Sequence, residues 1–259
     1  HDQHEDGVDA PWLVCLPGLG CDLDLFKPLR PNLVKKFRLI EINHRGIGAS
    51  SLATSEFSIS DLADDVLKIT DALAISTFSL LGISMGGFIT QEILSKKNEG
   101  IKAAAILCST GGGDQYFTFP FIKDEDIVKL HAIEKNVRAE LSTATTTHPE
   151  LKQNSPGIYE EIVSYRKNLE VPIETVLKQN HAAIDFMKKG VKLESIDLPI
   201  FVGHGENDRF VPVANAELLS RDLKAVEFKT YPKSDHFFFW EKGEGLSQDL
   251  SDFFMEYAK

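Results

Sequence analysis

The feature that most constrains this chain is an alternation that runs along most of its length. Apolar runs of strand length are followed by segments whose apolar residues recur at helical spacing. Residues 12–16, 37–42, 78–83, 103–109, 200–202 and 226–231 read as short buried strands. Between them, Leu62, Val66, Ile69 and Leu73 fall on one helical face, with Ser60 as a candidate N-cap and Asp61, Asp64 and Asp65 in the first turns. Residues 85–97 and 245–257 also read as helices. Strands buried on both faces and separated by helices imply a mostly parallel sheet flanked by helices, which is an α/β fold. In such sheets ligands bind beyond the carboxyl ends of the strands, so the chemistry is expected in residues that follow strands.

The alternation fails in one place. From residue 114 to about 195 there is no buried-strand run, and helical fragments are broken by polar stretches such as 143–149. The expected organisation is a core built from 1–113 and 196–259, carrying a helical lid at 114–195. A chain of 259 residues is long enough for such a core with an insertion.

Charge and cysteine content narrow the partners. The net charge of -11, with no local basic patch, disfavours nucleic acid and anionic membrane surfaces. The apolar run at 103–108 is far below the ~20 residues of a membrane span. Cys15, Cys21 and Cys108 are too few and unevenly placed for a disulfide framework, and no pair has zinc-site spacing. The chain opens on polar and acidic residues, unlike a secretory leader. These features favour a reducing compartment and hence a cytoplasmic protein, with a removed leader as the alternative; the expected chain is a monomer or homodimer that acts on a small molecule and needs no metal or organic cofactor.

Gly82-Ile83-Ser84-Met85-Gly86 lies between an apolar strand and a helix. A serine there sits on a sharp turn, and flanking side chains would clash, so both flanks are glycine. The helix N-terminus offers free N–H groups to a developing oxyanion. The competing reading is a glycine-rich turn whose serine only caps the helix. Leu16-Pro17-Gly18-Leu19-Gly20 also follows a strand, and its glycines let backbone N–H groups approach a substrate. The oxyanion hole is assigned to the N–H groups of Leu19 and Met85, the alternative being a plain turn before the helix from Asp22 onward.

A serine hydroxyl needs a base, and the base needs an orienting carboxylate. Among eight histidines, His236 alone sits late, after a strand, with an acid-bearing loop upstream. His1 and His4 lie in a polar terminus, His131, His148 and His181 in the insertion, His44 in a turn, and His204 is expected to order its own loop. Asp208 is the expected acid. Asp235 competes by adjacency, but neighbouring side chains on one loop diverge; Glu206 is a weaker rival.

Three stretches together resemble the α/β-hydrolase superfamily over roughly residues 11 to 257. Residues 43–50 are similar to the family's D-x-R-G-x-G-x-S turn, with Asn43 where Asp is usual. Residues 81–87 are similar to its nucleophile elbow, and residues 203–212 to its acid loop. Two departures stand out: Pro17 replaces the usual His before the oxyanion-loop glycine, and the stretch before Pro11 leaves room only for a shortened or absent first strand. The resemblance implies a sheet of about seven or eight strands and the chain order Ser84, Asp208, His236. Residues 181–186 and 196–199 are similar to small-lid enzymes such as 3-oxoadipate enol-lactonases and related carboxylesterases, which implies a carboxylic ester or lactone substrate. Gly18, Tyr116, Phe117, Phe119 and Phe121 are the candidates for lining its pocket, the alternative for the four aromatics being packing of the lid onto the core. The same triad also serves thioesterases, acyltransferases, perhydrolases and carbon–carbon bond hydrolases, and a slow-turnover small-ligand receptor is the rival from another class.

Overall fold

Strand positions in the middle of the sheet alternate between two cores, which is why those strand runs carry no polar face. The computed structural model describes residues 10–96, 99–116, 122–193, 196–225 and 227–258. Within them, β1 (Trp12–Leu16), β2 (Arg38–Glu41), β3 (Phe78–Ile83), β4 (Ile101–Leu107), β5 (Ile200–Gly205) and β6 (Glu227–Tyr231) form one sheet. Its order is β2-β1-β3-β4-β5-β6, and every neighbouring pair is parallel. Val14, Leu16, Ala104 and Ile106 point into one core, while Leu13, Cys15, Ala105 and Leu107 point into the other. This is the period-2 alternation of a strand buried on both faces.

The helices are α1 (Arg30–Leu33), α2 (Ile59–Ala72), α3 (Met85–Ser95), α4 (Asp124–Ala132), α5 (Lys135–Thr146), α6 (Leu151–Asn154), α7 (Pro156–Asn168), α8 (Ile173–Lys189), α9 (Ala214–Asp222), α10 (Phe238–Glu241) and α11 (Gly243–Tyr257). Residues of α2, α3, α8 and α9 fill the first core, and those of α7, α10 and α11 join the second. Ser58, rather than Ser60, caps α2: its hydroxyl accepts from the Asp61 N–H while the Asp61 carboxylate accepts from the Ser58 N–H. That reciprocal pair satisfies two of the donors a helix start leaves open.

The sheet has six strands in the described residues, fewer than the about seven or eight implied by the resemblance. β1 is the first element among the described residues, and its neighbour β2 forms the edge of the sheet they build. β2 is only four residues long and half-buried throughout, which suits a strand with one side unpaired. Helices α4–α8 all lie between β4 and β5, where the sequence lacks strand runs.

Candidate active site

The turn from β3 into α3 is built by close approach. Ser84 has φ 55°, ψ −114°, a left-handed conformation rare for a residue with a side chain. A Cβ on Gly82 would lie 2.4 Å from the Gly86 carbonyl oxygen, and one on Gly86 would lie 2.0 Å from that of Leu16. Neither position accepts a side chain without moving backbone, and the two glycines let the serine stand above the carboxyl edge of the sheet.

His236 and Asp208 come to this serine from the loops after β6 and β5. Ser84 Oγ lies 3.2 Å from His236 Nε2, and His236 Nδ1 lies 2.9 Å from Asp208 Oδ2. Asp208 Oδ1 accepts the N–H groups of Phe210 at 2.8 Å and Val211 at 2.7 Å. Burial would raise the Asp208 carboxyl, but the facing charge of His236 and hydrogen bonds from His204 and His236 outweigh it and hold the group well below the usual carboxylate range. The rival acids are committed elsewhere. Asp235 accepts from the N–H groups of Arg209 and His236 and pairs with the Arg209 guanidinium. Glu206 is exposed and accepts from the Thr230 hydroxyl.

The loop after β1 approaches from the other side. A Cβ on Gly18 would sit 3.4 Å from that of Ser84. The loop closes a tight turn through the Cys21 N–H and the Gly18 carbonyl, with Gly20 at φ 65°. The Leu19 N–H takes no part in that bond, and Met85, as the first residue of α3, has an N–H without an acceptor inside the helix. Gly20 N–H donates at 2.7 Å to Oε1 of the fully buried Gln179 on α8. His44 packs behind the loop with Nε2 3.4 Å from the Pro17 carbonyl, and burial lowers its pKa to about 4.

A cavity of about 470 Å³ opens over Ser84 and His236. Gly18 and Leu19 line it. Tyr116 does not: it is buried in the first core, its hydroxyl donates to Asp222 Oδ2 at 3.1 Å, and its ring fills the space beside Gly111. Gly112 and Gly113, at φ 70° and 82°, turn the chain there and send the ring toward α9 instead of the cavity. Phe117, Phe119 and Phe121 lie outside the described residues.

The cavity wall also includes residues the sequence reading missed. Ile127 and Leu130 of α4, Leu169, Val176 and Phe210 make an apolar side, and Thr146, Tyr165 and Arg166 make a polar one. Arg166 donates to the Thr146 hydroxyl at 2.7 Å, and its guanidinium lies 4.2 Å from the Phe237 ring centroid. Its Nε and the Tyr165 hydroxyl are buried without a hydrogen-bond partner, and no carboxylate pairs with Arg166 among the described residues. Burial lowers the Arg166 pKa and pushes the Cys21 thiol beside it up to about 11. The signal was present in α7: Tyr159, Ile162, Val163 and Arg166 recur at 3–4 spacing, so the arginine belongs to the buried face.

Fold and site together define an α/β hydrolase. Residues 11–243 match the α/β hydrolase fold family, and the chain belongs to that family. It is similar to a 2-hydroxy-6-oxononadienedioate/2-hydroxy-6-oxononatrienedioate hydrolase of Paraburkholderia phymatum, 28% identical over 84% of this chain and 76% of the relative. It is also similar to 3-oxoadipate enol-lactonase 1 of Acinetobacter baylyi, 25% identical over 95% of this chain and 89% of the relative. Among solved structures it resembles a thermophilic esterase from Thermogutta terrifontis, with TM-score 0.79 and 20% identity over 96% of this chain and 91% of that one. The enol-lactonase from Burkholderia xenovorans superposes with TM-score 0.76 and 21% identity over 97% and 94%. No helix among the described residues is long and apolar enough to cross a membrane.

Proposed function

We propose that the chain hydrolyses a small carboxylic ester or lactone through an acyl-enzyme on Ser84. The observation that carries this reading is the hydrogen-bonded series Ser84–His236–Asp208, 3.2 and 2.9 Å, on the floor of a cavity of about 470 Å³. Ser84 Oγ attacks the carbonyl carbon as its proton passes to His236 Nε2. The N–H groups of Leu19 and Met85 hold the oxyanion. Collapse of the tetrahedral intermediate expels the alcohol, which takes the proton from His236. Water, deprotonated by His236, then attacks the acyl-enzyme and releases the acid. Helices α4–α8 form the lid, and the polar side of the cavity suits a substrate that carries an anion, with Arg166 and the Tyr165 hydroxyl as its donors.

The similarity to a 2-hydroxy-6-oxononadienedioate hydrolase favours one second reading, cleavage of a carbon–carbon bond beside a ketone by the same three residues. A panel of p-nitrophenyl esters, lactones and vinylogous diketo acids, run with wild type beside Ser84→Ala, separates the two. The ester reading expects multiple turnover of esters or lactones that Ser84→Ala abolishes. Turnover of the diketo acids alone would favour the second reading. A folded wild type that turns over none of them and is not labelled at Ser84 by a fluorophosphonate would defeat both, and would suit a small-ligand receptor.

A further inference from the structure

β5 brings a second imidazole to the acid. His204, the fifth residue of that strand, is fully buried, and its Nε2 lies 2.8 Å from the Val211 carbonyl oxygen and 3.1 Å from Asp208 Oδ2. Both neighbours are acceptors, so Nε2 carries the proton; the other tautomer would set a lone pair against two oxygens. Nδ1 is buried with no hydrogen-bond partner, so the ring's polar contacts all run toward the acid loop. Asp208 Oδ2 therefore receives two histidine N–H groups, from His236 at 2.9 Å and from His204 at 3.1 Å.

We propose that His204 is a positioning residue for the reaction: its Nε2–H clamps Asp208 Oδ2 in the orientation that receives His236 Nδ1–H. The inference rests on the Ser84–His236–Asp208 reading above. Ordering the loop requires only the bond to Val211, and a ring with an orphaned buried nitrogen is a costly way to obtain it. What the ring adds is the contact with Oδ2. The two backbone donors on Oδ1 fix that oxygen but leave the carboxylate free to swing about it, and His204 removes this freedom. By sharing Oδ2, His204 also makes that oxygen a weaker base, so the proton between the pair stays on His236 Nδ1. The low carboxyl pKa of Asp208, to which both His204 and His236 contribute, agrees with this arrangement.

The test compares His204→Leu and His204→Gln in the full chain, on the ester the panel identifies. His204→Leu is expected to lower kcat ten- to a hundred-fold with KM within about two-fold, a part of the about 10⁴ that losing the acid's acceptor costs. His204→Gln, whose Nε2–H₂ reaches the same oxygens, is expected to recover most of that loss. A packing role alone would lower the melting temperature of both variants without separating their kcat values. Unchanged kcat in folded His204→Leu, or a His204→Gln variant no better than it, would overturn the proposal. If His204→Leu does not fold, proton and nitrogen NMR of histidine-labelled wild type decides. The proposal expects His204 as the Nε2–H tautomer beside a low-field His236 Nδ1–H resonance, and the Nδ1–H tautomer at His204 overturns it. Absence of turnover and of Ser84 labelling in wild type would defeat the hydrolase reading instead, and the NMR measurement would still test the clamp.

Discussion

Replacing Asp208 by asparagine turns one acceptor oxygen into a donor NH₂ and changes little volume, so its effect can be worked from the geometry. Oδ1 is committed to the N–H groups of Phe210 and Val211, and the amide must keep its carbonyl oxygen there. The NH₂ then stands where Oδ2 stood, 2.9 Å from His236 Nδ1 and 3.1 Å from His204 Nε2. His204 keeps its proton because it also serves the Val211 carbonyl, so His236 must become the acceptor at Nδ1. Its proton moves to Nε2, facing Ser84 Oγ at 3.2 Å, and the base can no longer take the serine proton. Wrong-tautomer changes of this kind lower kcat by about 10⁴, or about 5 kcal/mol of transition-state stabilisation. The assay is kcat on the best ester of the panel for Asp208→Asn and Asp235→Asn side by side, with melting temperatures recorded for both. Asp208→Asn should retain the fold and KM while losing turnover. An Asp208→Asn variant within ten-fold of wild type, beside a crippled Asp235→Asn, would refute the reasoning and move the acid role to Asp235.

Three further outcomes follow from residues around the triad. Arg166→Gln should raise KM ten- to a hundred-fold for an ester bearing a distal carboxylate, the about 1.5–3 kcal/mol of a charged hydrogen bond, and leave its neutral methyl-ester analogue within about two-fold; equal losses on both would remove the anion from the substrate. Gln179→Leu unpins Gly20 and with it the loop that carries Leu19, so kcat should fall about ten-fold with little change in KM, consistent with a weakened oxyanion donor; an unaltered kcat would show that the loop holds its shape without α8. Glu241 accepts the N–H groups of Asp235 and His148 and is pushed up to about 7, mainly by burial. Its folded pKa is above the unfolded value, so its stabilising contribution is full below about 4.5 and is lost as pH rises through 7. Melting curves from pH 5 to 8.5 should therefore show Glu241→Gln gaining on wild type with rising pH, by about 2–3 kcal/mol at most, and parallel curves would contradict the assignment.

What could be read from the sequence was what local chemistry dictates. Gly82, Ser84 and Gly86 announce a turn because side chains would meet the Gly86 and Leu16 carbonyls, and the strand runs announce burial on two faces. That Ser84, Asp208 and His236 meet could be anticipated because each follows a strand, and parallel strands bring their carboxyl ends to one edge. The cavity wall was less legible. Tyr116 was a candidate there as a lid aromatic, with packing onto the core as the alternative, and its direction is set by the glycines before it and by Asp222, 106 residues away in sequence. Arg166 carried a readable sign, its place on the apolar face of α7, whereas its partner Thr146 and the unpaired Nε depend on how α5 and α7 pack. His204 looked like a residue ordering its own loop, and only the folded chain brings it to the Asp208 oxygen that it shares with His236.

The proposed reaction stands or falls on a covalent acyl group on Ser84. Rapid quench of the reaction with p-nitrophenyl acetate, followed by mass spectrometry of the intact chain and of its peptides, measures that group directly. An acyl-enzyme mechanism gives an acetyl adduct on the peptide containing Ser84 that forms within the first turnover, decays as product is released and is missing in Ser84→Ala. Ester turnover that leaves Ser84 unmodified and persists in Ser84→Ala would contradict it.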